Sequence, residues 1–248
     1  MSGRVAVVTG AASGVGLGVA RRLASDGNAV ALFDLAGDAA KEAAAELTSE
    51  GHTAVGYEVN VADREAQEQA FASLRDELGP VTIVVTSAGI ESFDSIVDIT
   101  PEKWERIIAV NLTGTFTTMQ LALPDMLATQ WGRIVTISSS SAQSGAPRMA
   151  HYAASKGGVI ALTKSFAVEV AKEGITVNTI PPSLVDTPMA RKAADIGNVP
   201  DIDMLGKHVP VGRAGTPTDI ADACAFLCSD QAGYITGQVI GVNGGMYI

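Results

Sequence analysis

Short runs of β-branched and other apolar residues alternate with longer Ala-rich stretches, and this alternation restricts the fold more than any other feature of the chain. The apolar runs at 4–9, 28–34, 53–58, 81–86, 133–138, 176–180 and 239–243 read as strands. Their apolar residues are nearly continuous, as expected for strands covered on both faces. The stretches at 15–26, 38–50, 63–78, 101–129, 152–172 and 218–229 read as helices. Alternating βα units of this size imply a parallel sheet with helices on both faces. Right-handed crossovers then restrict the topology to a doubly wound sheet. The expected class is α/β, with about seven strands.

No linker, repeat or low-complexity segment interrupts the pattern, so 1–248 reads as one domain. At 47 % hydrophobic and 18 % charged residues, such a chain is globular and can bury a sizeable core. Its 17 Lys and Arg against 27 Asp and Glu give a formal charge of −10, which argues against a nucleic-acid surface. No apolar run approaches the roughly 18–20 residues of a membrane helix. The first apolar run ends at Thr9-Gly10, which is no signal-peptide pattern. The only cysteines, Cys224 and Cys228, form no disulfide framework and fit a reducing cytoplasm. Two thiols are too few for a structural zinc site, and His52 and His208 lack partners at metal spacing, so no metal is expected.

The strand at 4–9 runs into Thr9-Gly10-Ala11-Ala12-Ser13-Gly14-Val15-Gly16, which opens a helix. Glycines let backbone approach a pyrophosphate, and a helix N-terminus offers free N–H groups and a positive dipole end. An ordinary Gly-rich turn is the alternative; the strand–turn–helix context favours a dinucleotide site. Eighteen residues after Gly16, Asp34 ends the second strand, where a carboxylate can accept both ribose hydroxyls and would repel a 2′-phosphate. No Arg or Lys stands at Ala12, Leu35 or Ala36 to offset that repulsion, so NAD is expected over NADP. Asn60-Val61 and Ala88-Gly89 fall at carboxyl ends of strands, where such sheets bind ligands.

Tyr152 and Lys156 lie four apart on a helix and share a face. A nearby ammonium favours the phenolate, so the pair can act as a general acid/base unit. Packing plus a solvated charge is the alternative for this spacing alone. Ser139, just past the fifth strand, can hold a substrate oxygen, although Ser138, Ser140 and Ser141 surround it.

Thr9-Gly10-x-x-x-Gly14-x-Gly16, Asn111, Ser139 and Tyr152-x-x-x-Lys156 together resemble the short, single-domain branch of the short-chain dehydrogenase/reductase superfamily. The resemblance spans 4–245 and implies a Rossmann fold and hydride transfer between a nicotinamide and an alcohol or ketone carbon. It implies that Tyr152 exchanges a proton with the carbinol oxygen and that Lys156 binds the nicotinamide ribose and lowers the Tyr152 pKa. Ser139 would polarise the substrate carbonyl, and Asn111 would hold a water linking Lys156 to solvent. Cofactor contacts would come from Gly10, Ser13, Gly14, Val15, Gly16, Asp34, Asn60, Val61, Ala88, Gly89, Tyr152, Lys156, Pro182, Val185 and Thr187. Thr187 followed by Pro188 is also a good helix start. Three departures stand out: Thr86-Ser87-Ala88-Gly89 replaces Asn-Asn-Ala-Gly, Pro182-Ser183 replaces Pro-Gly, and Asn60-Val61 replaces Asp-Val. Without the first Asn, Thr86 must bond differently. The resemblance further implies a homotetramer formed through the long helices at 101–129 and 152–172 and the C-terminal strand.

The irregular stretch 186–215, rich in Gly and Pro yet carrying Met189, Ile202, Met204 and Leu205, is the expected substrate lid. With Ile90, Ser141, Met149, His151 and Leu184 it would wall a pocket for an apolar secondary alcohol or ketone, including cyclic or steroid-like ones. Glu91 borders that pocket or is a solvated loop acid. The alternative substrate is a 3-oxoacyl or 3-hydroxyacyl thioester of a carrier protein or CoA. The alternative of another class is a non-catalytic nucleotide sensor, against which the full Asn–Ser–Tyr–Lys set argues.

Overall fold

The computed structural model describes residues 3–248. In chain order it runs β1 (Val5–Thr9), α1 (Gly14–Ser25), β2 (Ala29–Asp34), α2 (Gly37–Ser49), β3 (Ala54–Glu58), α3 (Arg64–Leu78) and β4 (Val81–Thr86). There follow α4 (Pro101–Ile108), α5 (Gly114–Thr129), β5 (Gly132–Ile137), α6 (Ser141–Ser144), α7 (Ala150–Val170), β6 (Ile175–Ile180), α8 (Pro188–Asp195), α9 (Ile202–Gly206) and α10 (Pro217–Leu227). The strands form one parallel sheet in the order β3-β2-β1-β4-β5-β6. This is a Rossmann sheet, and its order reverses between β1 and β4.

Two apolar layers sandwich the sheet. On one face, Val8, Leu32 and Val85 pack with Val19 and Leu23 of α1, Leu47 of α2 and Ile220 and Cys224 of α10. On the other, Val7, Phe33 and Val84 pack with Phe71 of α3, Met119 and Met126 of α5 and Val170 of α7. Alternate residues of one strand thus serve opposite cores, which is why the runs read as continuously apolar. Helix starts follow local chemistry. Asp63 accepts from the N–H groups of Glu65 and Ala66, and Thr216 and Asp219 form a capping box ahead of α10.

Among the described residues the sheet has six strands rather than about seven. Among the described residues, segment 239–243 pairs with it through isolated bridges, Thr179 to Val239 and Pro182 to Val242. The reason is local. The Val177 N–H donates to the Thr236 hydroxyl and the Gln238 N–H to the Asn178 side chain, so side chains take ladder positions. Pro181 and Pro182 beyond have no N–H to give.

The helix expected at 101–129 is broken by a π-helical turn, Ala109–Thr113, which carries Asn111. The stretch 186–215 is not irregular throughout. Thr187 caps α8 and Asp201 caps α9, and the ends of the stretch are tied together. Gly215 N–H donates to the Leu184 carbonyl and Asp186 N–H to the Gly215 carbonyl. Among the described residues, no helix is long and apolar enough to cross a membrane, and no group of three His, Cys, Asp or Glu side chains could hold a metal. Cys224 and Cys228 are free and buried, and burial pushes the Cys228 thiol up to about 12.

Candidate active site

A cleft of about 930 Å³ opens along the carboxyl ends of the strands. Its lining begins at the turn after β1. Ser13 caps α1 without a side-chain bond, and no acidic residue lies in the first turn. The N–H groups there are unclaimed by side chains and the dipole is uncompensated, which suits a phosphate. The glycines of the turn have distinct duties. A Cβ on Gly16 would lie 2.1 Å from the Gly10 carbonyl oxygen, and one on Gly10 would lie 2.8 Å from Ala88 backbone. Both are therefore demanded by backbone packing. Gly14 is demanded instead by its φ of +54°.

Asp34 lines the cleft with its carboxylate held by two backbone donors, Ala12 N–H and Ala36 N–H, each at 2.9 Å. Asn60, Val61, Ala88 and Gly89 also line it, with Ser13, Val15, Pro182, Val185 and Thr187. The Thr187 hydroxyl accepts from Ala190 N–H, so capping and a place on the cleft coexist. Thr86 does not find new partners; its buried hydroxyl makes no hydrogen bond with any described residue. The turn after β4 is braced from β1, where the Thr9 hydroxyl accepts from Ser87 and Ala88 N–H groups, both at 3.1 Å.

Ser139, Tyr152 and Lys156 meet on the same cleft. The Ser139 oxygen accepts from the Ser141 hydroxyl at 2.9 Å, which leaves its own proton free to donate. The Lys156 ammonium donates to the Ile137 carbonyl at 2.9 Å and lies 5.8 Å from the Tyr152 ring centre. Asn111 is fully buried. Its amide accepts from Ile90 N–H and donates to the Ile90 carbonyl and the Ser155 hydroxyl, which donates onward to the Tyr152 carbonyl. Asn111 thus ties the loop after β4 to the helix that carries Tyr152. The π turn widens the helix at this position and turns the amide inward.

In this structure the Tyr152 pKa is raised, not lowered. Burial pushes the phenol up to about 12; the Ser139 hydroxyl works the other way, and the Glu91 carboxylate adds to the rise. Burial also brings the Lys156 ammonium down to about 8. The i, i+4 spacing placed both groups on one face, but burial is the largest cause of both shifts.

That shift has a consequence for stability. Between about 8 and the ordinary 10.5, folded Lys156 binds fewer protons than the unfolded chain, so its contribution to stability rises with pH there. Lys156→Met removes a buried charge and is expected to melt above the parent near pH 7, by the equivalent of about 2–3 kcal/mol. The gap should close toward pH 10. Parallel melts at both pH values test this; an equal gap at both would exclude a titrating Lys156.

Two expected wall residues are elsewhere. His151 is fully buried beneath the loop after β4, with Nε2 3.4 Å from Asp94 and neither ring nitrogen hydrogen-bonded. One residue along a helix turns the side chain by about 100°, which aims His151 away from Tyr152's face. Met204 points outward from α9 at 48 % exposure, whereas Ile202 and Leu205 face the cleft. Ile90, Ser141, Met149, Leu184 and Met189 do line it. So do Glu91, Phe93, Val199 and Met246, of which the sequence signalled only Glu91, by its place after Gly89.

A family model described as enoyl-(acyl carrier protein) reductase matches residues 10–247. The chain belongs to the short-chain dehydrogenase/reductase family. It is therefore an oxidoreductase that acts on a CH–OH group with a nicotinamide cofactor. The 3-oxoacyl-(acyl-carrier-protein) reductases FabG of Aquifex aeolicus and Vibrio cholerae are 36 % and 38 % identical to it, over 100 % of this chain and 98–99 % of theirs. The 2-(S)-hydroxypropyl-CoM dehydrogenase 3 of Xanthobacter autotrophicus is 37 % identical over 99 % of this chain and 97 % of its own. A crystal structure of a variant actinorhodin polyketide ketoreductase with NADPH superposes with a TM-score of 0.93 at 34 % identity, covering 99 % of both chains.

The short-chain dehydrogenase/reductase cofactor fits the residues present. The uncompensated start of α1 suits the pyrophosphate, and Asp34 suits ribose hydroxyls. When bound, the nicotinamide supplies or accepts hydride. The chain's own groups are suited to bind, orient and move a proton at the Tyr152 oxygen.

Proposed function

We propose that the chain interconverts 3-oxoacyl and 3-hydroxyacyl thioesters, of a carrier protein or CoA, with NAD(H) as the preferred cofactor. The relatives named as 3-oxoacyl reductases support the substrate class. The observation that carries the chemistry is the convergence of Ser139, Tyr152 and Lys156 on one cleft whose far wall is apolar. Ser139 holds the ketone oxygen, and Tyr152 delivers a proton to it. A phenol near 12 is protonated at neutral pH, which suits the reductive direction. Lys156 would hold the nicotinamide ribose. Asn111 acts through the Ile90 loop and Ser155, holding Tyr152 in place.

The 186–215 segment is the lid over the acyl chain, with Met189, Val199, Ile202 and Leu205 on its inner side. The preference for NAD rests on Asp34. The cations lining the cleft are Lys156 and Arg106, and neither pairs with Asp34. A 2′-phosphate there would meet a fixed carboxylate. Assembly is proposed as a homotetramer through α5 and α7, where Leu127 and Val168 are exposed.

The same apolar wall favours a second reading, reduction of apolar cyclic ketones. One panel decides among these. NADH consumption is followed with an acetoacetyl thioester and with cyclic ketones, each repeated with NADPH. Thioester turnover with NADH at least about tenfold above NADPH is expected, a difference of about 1.4 kcal/mol. Turnover confined to cyclic ketones would replace the substrate reading, and a preference for NADPH would overturn the Asp34 argument.

A further inference from the structure

The loop after β4 brings a carboxyl group to the substrate side of the cleft that the proposed reaction does not use. Glu91 lines the cleft beside Ile90 and Phe93, together with Ser139 and Tyr152. It makes no hydrogen bond or ion pair with any described residue, and burial alone raises its pKa. Its position is fixed from both sides. Asn111 clamps the Ile90 backbone in two directions, and Asp94 N–H donates to the Arg148 carbonyl while Arg148 donates to the Phe93 carbonyl. Asp94, by contrast, is fully engaged with Ser92 and Lys103 and with His151 beneath it. The other ionisable groups on the cleft are Asp34, Arg106, Tyr152, Lys156 and His208, and none is bonded to Glu91. Its charge reaches Tyr152, where it opposes the phenolate.

We propose that Glu91 is a specificity-determining residue that admits neutral acyl derivatives and rejects free oxo acids at the reacting end of the cleft. A partly desolvated carboxylate on an anchored loop, without a counter-cation, repels a second carboxylate strongly, because the low local dielectric magnifies like-charge contacts. A thioester or ester at the same place carries no charge and meets no such penalty. The inference rests on the reading that the substrate carbonyl is held by Ser139 and Tyr152.

The test compares Glu91→Gln with the parent on matched pairs, all with NADH. One pair is acetoacetate and its N-acetylcysteamine thioester; the other is 4-oxocyclohexanecarboxylate and its methyl ester. The parent should favour the neutral member of each pair in kcat/KM. In Glu91→Gln the acid should gain about 10–100-fold while the neutral partner changes little, so that the ratio collapses. Gln keeps the size and polarity of the side chain, so a purely steric role would leave the ratio unmoved. An unchanged ratio in the pair that is turned over overturns the role of Glu91. Refusal of thioesters with turnover of the cyclic pair overturns only the thioester reading, and the cyclic pair then reads Glu91. If the parent turns over neither pair, the ketone-reductase reading and this one fall together.

Discussion

Tyr152→Phe is expected to lower kcat by about 10²–10⁴-fold, the usual contribution of a positioned proton donor, while dinucleotide affinity is retained. The ring remains to fill its place beside Lys156, so only the hydroxyl is lost. A fall in kcat and kcat/KM together, with NADH titration by fluorescence unchanged, is the signature of an interaction made in the transition state. Full turnover by the Phe variant would remove Tyr152 from the chemistry. The proton-donor reading also orders the directions. With the phenol near 12, reduction of ketones should hold its rate across neutral pH, whereas oxidation of alcohols needs the phenolate and should climb as pH rises.

Gly16→Ala is expected to damage both fold and binding. The added Cβ would sit 2.1 Å from the Gly10 carbonyl oxygen, a backbone atom that no rotamer change can move. The start of α1 must shift, and α1 is packed along α10 through Val19 and Leu23. Overpacking of this kind costs about 1–3 kcal/mol, or a fall of roughly 2–4 °C in melting temperature for each kcal/mol in a chain of this size. Because the same turn carries the free N–H groups, NADH affinity should fall by more than about tenfold. A variant that melts and binds like the parent would show that the turn accommodates a side chain.

The two-layer sheet was legible because each strand must satisfy two cores, which leaves a continuous apolar run. The turn after β1 was legible because Gly10, Gly14 and Gly16 follow such a run and open a helix. Tyr152 and Lys156 were legible as a pair because helical geometry makes i and i+4 neighbours. What spacing does not encode is desolvation, so the direction of the Tyr152 shift was opposite to the expectation. The seventh strand was misread for a related reason. Val239 and Ile240 have strand composition, but Thr236, Asn178 and two prolines decide how the backbone donors are used. His151 and Met204 show the limit at single positions. Whether a helical residue faces the cleft depends on the helix's rotation about its axis, which neighbouring elements set. For Asp94 the deciding contacts with Lys103 and His151 come from two other elements.

The pairing of Val185 with Gly215 has a consequence for how such a chain diversifies. The segment between them begins and ends at one point on the scaffold, so its length and content can vary without dragging the sheet along. Loop-closure entropy grows slowly, by about 0.6 kcal/mol for each doubling of length. A different segment spliced at that junction would inherit the nucleotide turn, the serine, the tyrosine and the lysine already in place. The lid's share of the substrate wall can therefore be exchanged apart from the serine, the tyrosine and the lysine, while Ile90, Glu91 and Met149 stay with the scaffold.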